Sequence, residues 1–120
     1  MLIVDDFPEI RAAMRSLLER EGFEVWEAVD GADGVQVAQS IKPDLVILDL
    51  LMPVMNGFEA ARTLRKVLPN TPLLMFTESE TAIVGHQAQS AGIAAVALKS
   101  EGAQPLLKKA AELSNRHAAA

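Results

Sequence analysis

Four short apolar runs recur along the chain, at residues 2–4, 45–48, 73–76 and 94–98, the mixed segment 23–28 reads as a further strand, and between these segments apolar residues return at helical spacing. This alternation limits the fold more than any other feature. After Pro8, which suits the first turn of a helix, Ile10, Ala13, Met14, Leu17 and Leu18 form one stripe, and Gly22 is the expected stop. Asp30-Gly31 marks a turn; Val35, Ala38 and Ile41 then mark a second helix, ended by Lys42-Pro43. Asn56-Gly57 leads into a third helix with Phe58, Ala61, Leu64 and Leu68. A weaker helix spans 78–91, with Ile83, Val84, Ala88 and Ala91 as its apolar positions and Gly92 after it. A last one runs from Ala103 to about Asn115 on Leu106, Ala110 and Leu113, leaving a frayed tail at 117–120. Strands that are apolar throughout, joined by helical crossovers, imply a parallel sheet covered on both faces. Right-handed crossovers narrow this to a doubly wound α/β fold of five strands and five helices. The 120 residues read as one domain with no linker or repeat.

Composition removes several function classes. The formal net charge is −5, and Lys and Arg are scattered, which argues against nucleic acid or an anionic membrane as direct partner. Arg11, Arg15 and Arg20 read as a solvated helix face. There is no Cys, so disulfides and thiolate metal sites are excluded. No signal peptide is read at the first residues, and the longest apolar stretch is broken by Asp49 and Pro53, so no membrane span is expected. The expected location is the cytoplasm.

The polar residues fall where the strands end. Run 2–4 leads to Asp5 and Asp6, run 45–48 to Asp49, run 73–76 to Thr77 and run 94–98 to Lys99. A charged, unpaired Asp49 inside a buried strand would cost several kcal/mol. It is therefore expected where the strand stops and a site begins. In an open parallel sheet the carboxyl ends share one edge, where ligands bind at the topological switch point. Each signal alone is weak, since an Asp pair, a Thr or a Lys after a strand is usually a cap or a solvated side chain. Together at one edge they predict a site. Three carboxylates there repel one another unless a cation sits among them, and oxygen-only ligands favour Mg²⁺, or Mn²⁺. Beside such a cation, Lys99 and Thr77 can hold phosphoryl oxygens, and Asp49 can accept a phosphoryl group as an acyl phosphate.

These residues resemble a known family. Ile3-Val4-Asp5-Asp6-Phe7-Pro8, Asp49-Leu50-Leu51-Met52-Pro53 with Asn56-Gly57, Thr77 and Lys99 are together similar to the CheY-like receiver domain of two-component response regulators, over essentially the whole chain. The resemblance implies strand order 2-1-3-4-5. It implies that Asp49 takes a phosphoryl group from the phosphohistidine of a histidine kinase or phosphotransfer protein. Asp6 would bind Mg²⁺ directly, Asp5 largely through water, and the Leu51 backbone carbonyl would be a further ligand. Lys99 and Thr77 would hold phosphoryl oxygens. Thr77 would then move toward the phosphate and repack helix four and strand five, an output face that often dimerises. Lys99-Ser100 and Pro8-Glu9-Ile10-Arg11 look closest to receivers that precede a helix-turn-helix output domain, which is not read in these residues.

Three positions depart from the family pattern. Glu78 stands where a small residue is usual, and its carboxylate can crowd an incoming phosphoryl group. Val96 stands where an aromatic is common, so any switch must use other packing. Ser100 replaces a frequent cis proline, and a trans bond is expected because a non-proline cis bond costs about 2.5–4 kcal/mol. The alternative function is a receiver-like interaction module that works without phosphorylation. An aspartyl phosphatase would want a second carboxylate at position 51, where Leu51 stands. A flavin carrier would want Gly, Ser and Thr where Asp5-Asp6-Phe7-Pro8 stands.

Overall fold

In the computed structural model, which describes residues 1–52, 55–78 and 82–119, strands and helices alternate strictly. The order is β1 (Leu2–Val4), α1 (Pro8–Arg20), β2 (Trp26–Ala28), α2 (Gly31–Ile41), β3 (Val46–Leu48), α3 (Gly57–Val67), β4 (Leu73–Thr77), α4 (Ala82–Ser90), β5 (Ala95–Leu98) and α5 (Ala103–Ala119). All strand pairs are parallel, in the order β2-β1-β3-β4-β5. This is the doubly wound sheet that the alternation predicts. β1 is an interior strand: Leu2 pairs with Trp26 on one side and Val46 on the other, so the winding direction reverses between β1 and β3.

Side chains leave a strand on alternate faces, so two cores form. Leu2, Val4, Val46, Leu48, Leu73 and Met75 share one core with Ala38, Ala61, Leu64 and Ala88 of α2, α3 and α4. Ile3, Ile47, Leu74 and Phe76 share the other with Met14 and Leu18 of α1 and Leu106, Ala110 and Leu113 of α5. Val96, where the family often has an aromatic, is half-buried and packs against the first core.

Several boundaries differ from expectation for local reasons. Residues 23–25 do not join β2. Gly22, at φ 94°, turns the chain out of α1, and the Phe23 amide donates to the Leu18 carbonyl, so it closes the helix instead of extending a ladder. Glu78, expected to open the fourth helix, is not helical, and α4 is described over Ala82–Ser90. Helix α5 continues past Asn115 to Ala119, since nothing in that Ala-rich stretch breaks it. Between β5 and α5, Lys99–Glu101 form a single 3₁₀ turn. Among the described residues no peptide bond is cis, as expected at Ser100. The readings made for Pro53 and for the Ile83 side chain fall outside the described residues.

The basic face of α1 is not simply solvated. Arg11 and Arg15 both bind Glu27 of β2, and the Arg11 side chain is only 14% exposed. Among the described residues no helix is long and apolar enough to cross a membrane.

Candidate functional site

The β1–β3 ladder continues one step beyond the strands: the Asp49 amide donates to the Val4 carbonyl at 2.9 Å. That bond sets Asp49 beside Asp5 at the carboxyl edge of the sheet. Asp5 is held by its own loop. Its amide donates to Ala28 at 3.2 Å, and its Oδ1 accepts the Phe7 amide at 2.9 Å, a turn that hands the chain to Pro8 and α1. Asp6 lies between them in sequence and is half-buried.

The three carboxylates each offer an oxygen within 4.8 Å of the others. Lys99 reaches into the group from the far end of β5. Its Nζ lies 3.3 Å from Asp49 Oδ1 and 3.4 Å from Asp5 Oδ2, and 5.8 Å from the centre of the Phe76 ring. Asp5 and Asp49 are 2% and 6% exposed, so these charges meet with little water between them. Burial, and after it the charge of Asp5, raises the Asp49 carboxyl above its ordinary pKa; Lys99 opposes the rise. One ammonium therefore does not balance three carboxylates. Asp6 Oδ1 is buried with no hydrogen-bond partner among the described residues, an arrangement that costs about 1–3 kcal/mol when left unmet. An oxygen-liganded divalent cation fits this donor set, because it would satisfy that atom and offset the surplus negative charge.

The sequence-predicted residues divide in two. The structure brings Asp5, Asp6, Asp49 and Lys99 into one group. Thr77 closes β4 on the same edge, buried, paired in register with Leu98 next to Lys99, but the described hydrogen bonds of Lys99 go to the two aspartates. Glu78 follows it and is exposed. Leu51 lies in the loop after Asp49 with its side chain 71% exposed, and no described contact ties its carbonyl to the group. Val96 sits within β5, away from the edge.

Three contributors were not legible as site residues. A Cβ on Gly57 would collide with the Asp49 carbonyl oxygen and lie 2.9 Å from Leu50 Cα, so the glycine that opens α3 also lets the helix sit against the Asp49 backbone. The Gly57 amide donates to the Leu50 carbonyl at 2.9 Å, and Asn56 and Glu59 form a reciprocal capping box. Phe76 stands over the Lys99 ammonium. Arg11 donates to the Asp5 carbonyl at 2.8 Å. Asn56-Gly57 was visible as a turn; nothing in the sequence marks the other two.

Comparison with known proteins bears on the family and the fold. The family model for the response regulator receiver domain matches residues 1–111. A Pseudomonas aeruginosa protein described as a transcriptional regulator is 40% identical over 108 residues, 89% of this chain and 52% of that protein. The structure of Vibrio cholerae chemotaxis protein CheY4 superposes with a TM-score of 0.88 at 32% identity, covering 93% of this chain and 95% of that one. Response regulator TrrA of Thermotoga maritima, solved in complex with Mg²⁺ and BeF, superposes with a TM-score of 0.86 at 29% identity, covering 93% and 96%. The chain spans about half the length of the curated relatives it matches first.

Proposed function

The chain belongs to the response regulator receiver domain family, and from that premise we propose that residues 1–120 form one receiver domain that is phosphorylated on Asp49 by a histidine kinase or phosphotransfer protein, with Mg²⁺. One observation carries the reading: a buried aspartate at a strand end, within hydrogen-bond reach of a lysine and flanked by two more carboxylates. In the step, an Asp49 carboxylate oxygen attacks the phosphorus of a phosphohistidine. The O–P bond forms as the N–P bond breaks, and its electron pair returns to the imidazole nitrogen. The product is an acyl phosphate. Lys99 exchanges its bond to Asp49 Oδ1 for one to a phosphoryl oxygen, and the Thr77 hydroxyl donates to another. Asp6, Asp49 and the Leu51 carbonyl would hold Mg²⁺, with Asp5 acting largely through water. When bound, Mg²⁺ offsets the negative charge that gathers as phosphoryl oxygens meet the carboxylates.

The chain catalyses no reaction but its own phosphorylation and dephosphorylation. Movement of Thr77 toward the phosphate would repack α4 and β5, and the face of α4, β5 and α5 would carry the output, with a homodimer as one form of it. A second reading, an interaction module that works without phosphorylation, draws support from Glu78, exposed directly after Thr77, and from the aliphatic Val96. Intact mass separates the two. With Mg²⁺ and acetyl phosphate or phosphoramidate, the wild type gains one phosphoryl group and Asp49→Asn gains none. No gain from these donors or from a competent histidine kinase would leave the second reading standing.

A further inference from the structure

A chain of charges runs from the outside of α1 to the backbone of the acidic loop. Across β1 and β2, Glu27 pairs in register with Ile3, which belongs to the core under α1 and α5, so Glu27 faces α1. Glu27 Oε1 accepts from Arg11 Nε at 3.0 Å, and Oε2 accepts from Arg15 Nη1 at 2.7 Å. Arg15 Nε donates in turn to Glu19. Arg11 uses a second nitrogen elsewhere: Nη1 donates to the Asp5 carbonyl at 2.8 Å. Arg15 and Glu19 are 42% and 48% exposed and form an ordinary surface pair. Arg11 is largely buried and joins two separate elements through two N–H groups.

The chosen acceptor has a consequence. By binding a carbonyl, the guanidinium brings positive charge beside the acidic cluster without occupying a carboxylate oxygen that a cation would need. That carbonyl also belongs to the Asp5–Asp6 peptide, so its orientation decides how Asp6 leaves the loop. Asp5 is already fixed at its amide by Ala28 and at Oδ1 by the Phe7 amide. The Arg11 bond fixes the remaining side, and Asp6 is the residue whose buried Oδ1 has no partner among the described residues.

We propose that Arg11, held in place by Glu27, is a positioning residue for divalent cation binding, pinning the Asp5–Asp6 peptide so that Asp6 Oδ1 is presented to the ion. The proposal rests on the reading of Asp5, Asp6 and Asp49 as a cation site. Groups that orient a ligand without touching the ion typically change affinity by about 10–100-fold when removed.

The test is calorimetric titration of the full chain with MgCl₂, alongside amide hydrogen exchange of the metal-free protein. Arg11→Met is expected to raise the Mg²⁺ Kd about tenfold or more and to speed exchange of the Phe7 amide. Arg11→Lys keeps the charge but cannot bridge both acceptors, so it raises the Kd as well, and it answers the question should Arg11→Met fail to fold. Arg20→Met, on the exposed end of α1, changes neither reading. Magnesium affinity unchanged in both Arg11 variants would overturn the proposal, as would a lowered melting temperature with no change in Kd. If wild type and Asp6→Asn alike bind no Mg²⁺, the cation site itself is wrong and the positioning role falls with it.

Discussion

Lys99 and Asp49 form the smallest unit on which the account depends. Lys99 bridges two buried carboxylates and is the cation nearest to where phosphoryl oxygens would arrive. Lys99→Ala should therefore slow phosphorylation by acetyl phosphate by about 10²-fold or more, while Mg²⁺ binding is retained or strengthened because a competing cation is gone. Phosphorylation kinetics with a parallel Mg²⁺ titration measure both. Asp49 also makes a prediction about stability. Folding raises its carboxyl pKa, through burial first and the charge of Asp5 second. Between the unfolded value, about 3.9, and the raised folded value, the native chain holds more protons than the unfolded one. Stability then falls as pH rises through that window and stays lost above it. In metal-free protein at neutral pH, Asp49→Asn should raise the urea midpoint above that of wild type. The gap should narrow as the pH is lowered toward the unfolded value.

At the scale of elements, the site depends on how closely helices approach strand ends. Helix α3 rests on the Asp49 backbone at Gly57. Gly57→Ala should destabilise the fold by about 1–3 kcal/mol and reduce Mg²⁺ affinity, since the added methyl must push either α3 or the Asp49 loop. Chemical denaturation and titration together read this out. The α1–β2 contact has its own pH dependence. Hydrogen bonds from Arg15 first, and from Arg11, lower the Glu27 pKa against the effect of burial. That contribution is present above the unfolded glutamate value, about 4.3, and is lost as pH falls through the lowered folded value. Glu27→Gln should flatten this part of the acid unfolding curve. These same contacts mark where sequence reading stops. Asp5, Asp6, Asp49 and Lys99 were legible because strand ends converge by topology, whatever the details of packing. Arg11 was not, because an Arg at that helix position carries no sign of whether it meets solvent, a carbonyl six residues before it or a carboxylate sixteen residues after it. Strand β2 was overextended because the Phe23 amide is claimed by the end of α1, a choice that residue types alone do not reveal.

Across the whole molecule, the periodicity predicted a parallel doubly wound sheet and the family resemblance implied the order β2-β1-β3-β4-β5, which gathers residues from positions 5 to 99 at one edge. Under the proposed function the sheet would be a scaffold for a charge switch: a phosphoryl group on Asp49 would change the local charge at the end of β3, and β4 lies between β3 and the α4–β5–α5 face. If that face carries the output as a dimer, light scattering after phosphorylation should show the mass doubling, and Lys99→Ala should not double under the same conditions. The most direct measurement of the central claim is covalent. The chain is treated with Mg²⁺ and acetyl phosphate, the acyl phosphate is trapped by borohydride reduction, and the modified residue is located by peptide mass spectrometry. Modification is expected at Asp49 alone, abolished by chelating Mg²⁺. Modification at another carboxylate, or none at Asp49 with either a small-molecule donor or a competent histidine kinase, would contradict it.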